Sequence, residues 1–308
     1  MRAAFAALAL LAACAGASPS AADGEAIEAS YPEGPLYQGE TLYYAEMGAD
    51  RISVIAPGQG RRTFFEQRAC GPTALAPFGE GFLVLCHIGA RVVAVDVNGR
   101  ALRSWNADVS GEALMDPNDA SADGRGGVYF SDPGLFSRRT EPHGKVMHLT
   151  AEGRLSVVAR TLWYPNGVFV DQRRGQLYVS EHMMGRVLRY PIAADGALGE
   201  QTTFVTLSDL QRSNKYPRDP YLETGPDGLE IGPDGDVWVA VYGEGRILRL
   251  TPEGALRGIL ELPARYSTNI SFASNGSAAT TSIFNNTEPP FRGEVRFHQP
   301  EALTPARQ

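Results

Sequence analysis

The sequence predicts an all-β protein, and within that class a six-bladed β-propeller whose N-terminal strand completes the last blade. Three observations support this prediction. The 308 residues include 34 glycines and 21 prolines, which is typical of many short strands joined by turns. No stretch after residue 25 shows a long 3.6-residue apolar period, so long helices are not expected. Instead, one unit of short strands recurs six times at intervals of 40 to 60 residues, as propeller blades do.

Each unit contains a pair of apolar strands joined by a short link. The first strands of the six pairs are residues 41–45, 82–86, 128–131, 177–180, 237–240 and 281–284. Their partner strands begin at residues 51, 91, 145, 186, 246 and 294. After most pairs, a turn such as Val97-Asn98-Gly99 leads to a fourth strand. A tandem pair of β-sandwiches is the competing all-β architecture, but it does not predict one unit repeated six times.

The two ends of the chain indicate how the ring closes. The last unit lacks a fourth strand, because residues 300–305 are poor strand material with a proline at each end. Residues 25–29, ahead of the first unit, belong to none of the six units and are suited to form a strand. We therefore expect the N-terminal segment to complete the sixth blade and to remove an exposed sheet edge. The predicted propeller domain spans residues 26–308.

The first residues resemble a targeting segment and are set apart from the fold. Residues 3–13 form an apolar run too short to span a bilayer, and Leu11-Ala12-Ala13-Cys14 resembles a bacterial lipobox. Residues 1–14 are therefore predicted to be a lipoprotein-type signal peptide, and residues 15–25 a flexible tether. Ala15 after the cysteine favours the outer membrane, so we expect an exported, periplasmic protein that is lipid-anchored at Cys14. An ordinary secretory leader with an incidental cysteine is the alternative.

Charge and cysteine content narrow the choice of partners. The formal net charge is −7 and there is no basic run, which argues against nucleic acid as a partner. We expect a monomer that meets the membrane only through its N-terminal lipid and acts on a small molecule. Two further cysteines, Cys70 and Cys86, would lie in an oxidising space. The sequence leaves open whether they form a disulfide or remain two buried thiols.

The heads of the innermost strands carry the candidate functional site. Inner strands of a propeller run parallel around a central channel, so their heads converge on one mouth. In four of the six units the residue after a proline is an oxygen donor: Glu33, Asn118, Asn166 and Asp227. Two carboxylates and two amides match Ca²⁺, with Mg²⁺, Mn²⁺ and Zn²⁺ as alternatives, although zinc prefers nitrogen or sulfur. Each donor alone could be a turn residue, but their shared register favours a joint metal site.

The strand order also places the links between second and third strands at this mouth. On these links, Asp132 and His182 are candidates either to support the metal ligands or to bind substrate, and Asn118 is a third candidate substrate-binding residue. The longest insertion, residues 208–224, is polar and aromatic. It could cover the mouth or be an ordinary surface loop, and the sequence leaves both open.

With these residues in view, the chain resembles the gluconolactonase/regucalcin (senescence marker protein) family of six-bladed propellers over about residues 31–299. The motifs that carry the resemblance are Glu33-Gly34-Pro35, Pro117-Asn118-Asp119, Pro165-Asn166-Gly167 and Pro226-Asp227-Gly228. Their Glu, Asn, Asn, Asp order is also similar to that of paraoxonases and squid-type phosphotriesterases. The resemblance implies a divalent ion, Ca²⁺ or another, hydrolysis of lactones, and Asp227 as the candidate base.

One position departs from the family pattern. Regucalcin-like members have an arginine two residues before the first asparagine, where it contacts a sugar-acid lactone. This chain has Asp116 there, and a carboxylate would not favour an anionic substrate. The resemblance therefore does not carry aldonolactone specificity over to this chain.

The sequence-level hypothesis is a metal-dependent lactonase in which the ion polarises the lactone carbonyl and Asp227 activates water. A Ser-His-Asp or Cys-His arrangement does not present itself, and Ser131 and Ser180 lack a Gly-x-Ser-x-Gly setting. Two alternatives remain open. One is a non-catalytic, ligand-binding propeller lipoprotein with a structural ion. The other is an aryl-ester or phosphotriester hydrolase that uses the same metal site.

Overall fold

The structure, a computed structural model, describes residues 24–137, 141–210, 215–216 and 224–303. The strands of this part of the chain form six four-stranded antiparallel sheets arranged as blades, so the predicted six-bladed propeller is confirmed. The predicted signal peptide, nearly all of the tether and most of the 208–224 insertion lie outside the described residues. Within the described ranges, no helix is long and apolar enough to cross a membrane.

Strand β1 (Ala26–Ser30) belongs to the last blade, and the first five blades follow in chain order, each built from the channel outward. Their strands are β2 (Pro32–Gln38), β3 (Thr41–Glu46), β4 (Arg51–Ile55) and β5 (Arg62–Glu66) in blade 1; β6 (Pro72–Phe78), β7 (Gly81–Cys86), β8 (Arg91–Val95) and β9 (Ala101–Trp105) in blade 2; β10 (Ala120–Ala122), β11 (Val128–Asp132), β12 (Gly144–Leu149) and β13 (Leu155–Leu162) in blade 3; β14 (Pro165–Asp171), β15 (Gln176–Glu181), β16 (Arg186–Pro191) and β17 (Thr202–Thr206) in blade 4; and β18 (Gly225–Ile231), β19 (Val237–Tyr242), β20 (Arg246–Leu250) and β21 (Leu256–Glu261) in blade 5.

The sixth blade joins the two ends of the chain. Its strands, from the channel outward, are β22 (Tyr266–Phe272), β23 (Ala278–Ile283), β24 (Arg292–His298) and β1. Strand β1 pairs antiparallel with β24 over its whole length, with Ala26 opposite Arg296 and Ser30 opposite Arg292. The N-terminal strand therefore completes the last blade, as predicted, and removes one exposed sheet edge. Short 3₁₀ turns occupy Met47–Ala49, His182–Met184, Leu207–Asp209 and Pro300–Leu303.

The hydrophobic core lies between the blades. Both faces of a blade are covered by its two neighbours, so alternate residues of one strand enter two different core layers. In β7, Phe82 and Val84 pack toward blade 1, whereas Leu83 and Leu85 pack toward blade 3. A buried cluster joins each of the six pairs of adjacent blades, including the pair formed by blades 6 and 1. The ring is therefore closed by packing as well as by the β1–β24 ladder.

The structure also answers the question about the cysteines. Cys70 and Cys86 are both fully buried and form a disulfide with Cα atoms 4.5 Å apart. Cys86 ends β7 opposite Pro72 at the head of β6. The bridge therefore ties the segment that leads into the second inner strand to its neighbouring strand, next to the channel mouth.

Candidate metal centre at the channel mouth

Irregular pairing at the heads of the inner strands directs the predicted donors toward the channel. In β2, β14 and β18 the ladder with the next strand shifts register directly after Glu33, Pro165 and Pro226. Such bulges break the strict alternation of side chains and re-aim the residues beside them. Asn166 and Asp227 lie within the shifted stretches and Glu33 lies at the edge of one. The fourth donor lies in the segment directly before the short strand β10.

Two of the glycines that follow the donors are required because the inner strands approach each other closely. A Cβ atom at Gly34 would overlap the carbonyl oxygen of Thr73 in the next blade. One at Gly167 would overlap the backbone of Asp227, which is itself a predicted donor. The Glu-Gly and Asn-Gly pairs at these positions therefore allow the strand heads to converge. A free turn on the surface would not need glycine for this reason.

All four predicted donors line one cavity of about 230 Å³ at the mouth. Each of the four residues is buried, and Asp227 is only 3% exposed. The remaining lining residues are Tyr31, Met47, Thr73, His87, Phe136, Tyr164, His182, Tyr242 and Asn286. A larger groove of about 760 Å³ lies between blades 1 and 6 on the opposite face and contains none of the predicted site residues. We take the smaller cavity as the candidate site because it gathers the reactive groups.

The two carboxylates at this mouth are only partly compensated by the protein itself: Gly34 donates a backbone hydrogen bond to Glu33, and the Gly228 backbone and the Asn166 side chain donate to Asp227. Burial raises the pKa of Asp227 well above its usual range, and the charge of Asp119 raises it further. Burial likewise raises the pKa of Glu33, followed by the charges of Asp227 and Asp119. The Oδ1 atom of Asp227 is buried and has no hydrogen-bond partner among the described residues. A divalent cation would offset both charges and give this oxygen a partner, so the residues fit such an ion.

The donor set also bears on which ion would fit. Over the described part of the chain, no three His, Cys, Asp or Glu side chains are grouped so that they could hold a metal. A centre here therefore depends on the amide oxygens of Asn118 and Asn166 together with the two carboxylates. Ca²⁺ accepts such mixed oxygen ligands in a flexible shell, whereas Zn²⁺ favours imidazole and thiolate. Metal binding by these four residues stays a prediction.

Asp119 is a buried carboxylate beside the centre that the site prediction did not include. Its Oδ2 atom accepts hydrogen bonds from the Val168 backbone N–H (3.1 Å) and from the Asn269 amide (3.5 Å), and Oδ1 accepts from the Ala120 N–H (2.9 Å). Burial raises the pKa of Asp119 to about 7. One signal was available in the sequence, because Asp119 follows Asn118 where the other three donors are followed by glycine.

Three tyrosines form part of the wall above the donors. Tyr31 and Tyr164 each precede a head proline and have positive φ angles of 48° and 55°, which is costly for a bulky residue. Burial raises the pKa of Tyr31, Tyr164 and Tyr242 above the usual value, and nearby carboxylates raise it further. The three phenols therefore stay neutral at physiological pH and can donate hydrogen bonds.

His182, a predicted substrate-binding residue, does line the cavity. Its Nδ1 atom lies 3.1 Å from the carbonyl oxygen of Pro226, directly beside Asp227. Because a carbonyl oxygen can only accept, Nδ1 carries a proton and donates it to this carbonyl. The imidazole packs against Phe136 and Tyr242 with ring centroids 5.3 and 5.8 Å apart. His182 thus supports the strand head that carries the candidate base.

Asp132, the other predicted substrate-binding residue on a link, is not among the residues that line the cavity. It is fully buried, and Oδ2 forms an ion pair with Lys145 Nζ at 3.2 Å. Its Oδ1 atom accepts hydrogen bonds from the backbone N–H groups of Met115 and Asp116, each at 2.9 Å. The structure therefore places Asp132 behind the segment that leads into Asn118, as a positioning residue. Its location at the mouth could be predicted from the sequence, but the direction of its carboxylate could not.

The same arrangement recurs in blades 1 and 4, and we call it the acid clamp. A clamp consists of a buried acid at the end of the second strand, a basic partner at the start of the third strand, and the backbone N–H two residues before the head proline. Glu46 and Glu181 are the acids in blades 1 and 4. Glu46 accepts hydrogen bonds from the Ser30 N–H (3.2 Å) and from Arg51 (3.0 Å). Glu181 accepts hydrogen bonds from the Trp163 N–H (2.9 Å) and from Arg186 (2.6 Å). The three clamped blades carry Glu33, Asn118 and Asn166, three of the four donors.

Weakening one clamp is expected to reduce cation affinity. In Glu181→Gln the side chain can still accept from the Trp163 N–H but loses its charge pairing with Arg186. Residues that orient metal ligands typically contribute 10–100-fold to affinity, so we expect Ca²⁺ to bind about 10–100-fold more weakly. Calorimetric titration of Ca²⁺ measures this. The matched control is Asp171→Asn, which weakens an equally buried Asp171–Arg174 pair at the far end of the same blade. Equal loss of affinity in both variants would contradict a positioning role.

The fold and the mouth together define a class of protein: a six-bladed propeller that gathers two carboxylates and two amides around the end of its channel. Comparison with known families agrees with this description. The family model described as "SMP-30/Gluconolactonase/LRE-like region" matches residues 31–281, and the chain belongs to this family. The resemblance drawn from the four strand heads is therefore confirmed.

Named relatives share most of the chain. Lactonase drp35 of Staphylococcus saprophyticus subsp. saprophyticus is 27% identical over 74% of this chain and 68% of the relative. The 6-deoxy-6-sulfogluconolactonase of Pseudomonas putida is 26% identical over 76% of this chain and 75% of the relative. Among solved structures, the calcium-binding protein regucalcin from Agrobacterium tumefaciens superposes with a TM-score of 0.69 at 16% identity, over 88% of this chain and 90% of that chain. That last likeness shows the shared fold.

Proposed function

We propose that this protein is a divalent-metal-dependent hydrolase of lactones. The observation that carries the proposal is the convergence of Glu33, Asn118, Asn166 and Asp227 on one cavity, where a buried oxygen of Asp227 has no partner within the part of the chain that the structure describes. Family membership and the names of two relatives, a lactonase and a sulfogluconolactonase, support lactones as the substrate class. Ca²⁺ is the proposed ion, because the donors are all oxygen and a structural neighbour is named as calcium-binding.

In this proposal the four donors hold the ion, and the ion, when bound, supplies Lewis-acid polarisation of the lactone carbonyl. A cation beside Asp227 lowers the pKa of that carboxyl, so the side chain is ionised at neutral pH and can act as a general base. Asp227 takes a proton from water as the water oxygen bonds to the carbonyl carbon. The ring C–O bond then breaks, and the proton returns to the departing alkoxide oxygen, which yields a hydroxy acid.

The surrounding residues have supporting roles in this scheme. The neutral hydroxyls of Tyr31, Tyr164 and Tyr242 can donate hydrogen bonds to substrate oxygens. Through its Nδ1–H bond to the carbonyl oxygen of Pro226, His182 holds the backbone that carries the base. The clamps fix three of the donors. Asp119 would add negative charge beside the four donors and so would favour a divalent cation over a monovalent one.

The test is a substrate panel with and without chelator. Purified protein would be assayed with γ-lactones, gluconolactone, an aryl ester and a phosphotriester, first with added Ca²⁺, then with EDTA, then with Ca²⁺ restored. We expect lactone hydrolysis that is lost with EDTA and returns with Ca²⁺. Faster hydrolysis of the phosphotriester would favour the phosphotriesterase alternative. Tight Ca²⁺ binding without turnover of any substrate would favour a non-catalytic binding propeller.

The location proposed for this activity follows from the N-terminal residues alone. We propose that residues 1–14 direct export and that Cys14 anchors the protein by lipid to the outer membrane. The propeller would then act on small molecules in the periplasm.

A further inference from the structure

Large apolar side chains are exposed around the channel mouth. Nine large hydrophobic residues of the described chain are exposed. Five of these nine lie on the links between second and third strands, on the mouth face: Ile88, Leu135, Phe136, Met184 and Phe284. The links belong to blades 2, 3, 4 and 6, so the apolar residues are distributed around the ring. Single exposed hydrophobics are common, but an exposed apolar residue that also lines a pocket can extend the binding surface of that pocket.

We call these five residues the apolar rim, and it is continuous with the candidate site. Phe136 is 44% exposed on the rim and also lines the cavity. Its ring packs against Tyr164 at 4.7 Å and His182 at 5.3 Å, between centroids. Inside the mouth, Tyr242 and Tyr31 extend this aromatic wall. Phe136 therefore links the exposed apolar residues of the blade 3 link to the wall of the cavity.

The size of the cavity limits what fits below the rim. A volume of about 230 Å³ is smaller than the roughly 300–1,000 Å³ typical of pockets that enclose a drug-sized ligand. It has room for a lactone ring over the donors but not for a long substituent. A substituent on the ring would emerge between Phe136 and the tyrosines and meet the rim. The rim side chains would then bury apolar surface that otherwise faces water.

We propose that the substrate is a lactone with an apolar tail, whose ring enters the cavity and whose tail lies on the apolar rim. This inference rests on the proposed lactonase function and names its substrate class. The alternative use of an apolar rim is docking on a lipid surface. We favour the substrate because Phe136 belongs both to the rim and to the cavity wall, which a surface used only for docking would not require.

The experiment measures kcat/KM for γ-lactones whose alkyl substituent grows from methyl to octyl, with Ca²⁺ present. Full burial of one methylene is equivalent to about a fourfold gain in kcat/KM, so we expect a rise of about two- to fourfold per methylene over the first few carbons. Ile88→Ser, in the neighbouring blade, and Leu135→Ser, beside Phe136, should each reduce the ratio of octyl to methyl kcat/KM by about three- to tenfold. The matched control is Leu102→Ser on strand β9, because Leu102 is as exposed as Ile88 (60% against 64%) and lies in the same blade away from the mouth. The control should leave the ratio unchanged.

The outcomes separate this inference from the function on which it rests. If no lactone is hydrolysed with any divalent ion, the proposed function itself is contradicted. Turnover that is equal for methyl and octyl lactones, or a ratio that Leu102→Ser lowers as much as Ile88→Ser, would overturn the apolar-tail inference and leave the lactonase intact. Sedimentation with phosphatidylglycerol/phosphatidylethanolamine vesicles would be run in parallel. Vesicle binding lost in the rim variants, together with an unchanged ratio, would assign the rim to membrane docking instead.

Discussion

Asp227→Asn is expected to lower kcat/KM for lactones by about 10²–10⁴-fold, which is the usual contribution of a general base. The amide keeps an oxygen that can face the ion but cannot take the proton from water. The same change should stabilise the calcium-free protein, because it removes a buried carboxylate whose pKa burial raises and whose Oδ1 has no partner in the described ranges. Activity and calcium-free stability should therefore change in opposite directions. Steady-state kinetics and thermal unfolding after EDTA treatment measure the two effects.

A matched control lies on the same strand. Glu230 is three residues further along β18, and burial raises its pKa to about 8, but it does not line the cavity. Glu230→Gln should stabilise the calcium-free protein in the same way and leave kcat/KM within about threefold. If Asp227→Asn retains kcat/KM within tenfold, the base is another residue, and Asp119→Asn is the next variant to assay.

Most of the architecture could be predicted from the sequence because propellers repeat. Six recurring strand pairs gave the blade number, and spare sequence before the first unit gave the closure by β1. The same repetition gave the four donors, since a shared register in a rotationally repeated fold implies a shared mouth. Because the blades repeat by rotation, Glu33 and Asp227 could be predicted to meet at this mouth, although they lie almost two hundred residues apart in the sequence.

Side-chain direction could not be predicted in the same way. Asp132 lies at the mouth as expected, but Lys145 and two backbone N–H groups bind its carboxylate behind the strand head. Such a clamp depends on contacts between blade elements that no local motif encodes. Asp119 was overlooked for a related reason, because a carboxylate next to a predicted ligand reads as an ordinary turn residue. Its direction into the channel becomes visible only through Val168 and Asn269.

Removal of the cation is expected to make stability strongly dependent on pH. Without the ion, burial and mutual repulsion raise the pKa of Glu33 and Asp227 well above the usual range, and burial raises that of Asp119 to about 7. A group whose pKa is higher in the folded state contributes stability that is fully present below its unfolded value and is lost as pH rises through the folded value. The calcium-free protein should therefore lose stability progressively from about pH 4 to pH 8.

The expected size of this pH effect follows from the pKa of Asp119. The difference between its usual value of 3.8 and about 7 corresponds to about 4 kcal/mol of unfolding free energy at pH 8, and the carboxylate is fully buried, so solvent screening is small. Saturating Ca²⁺ should remove most of the dependence, because the cation offsets the negative charge of the ionised carboxylates. Urea unfolding at pH 5 and pH 8, with and without EDTA, measures the difference.

Asp119→Asn should make the calcium-free protein more stable at pH 8 while changing little near pH 4, since the protonated acid and the amide carry the same charge. If the calcium-free protein is equally stable at pH 5 and pH 8, these carboxylates do not form a cation-binding site, and the metal assignment is wrong.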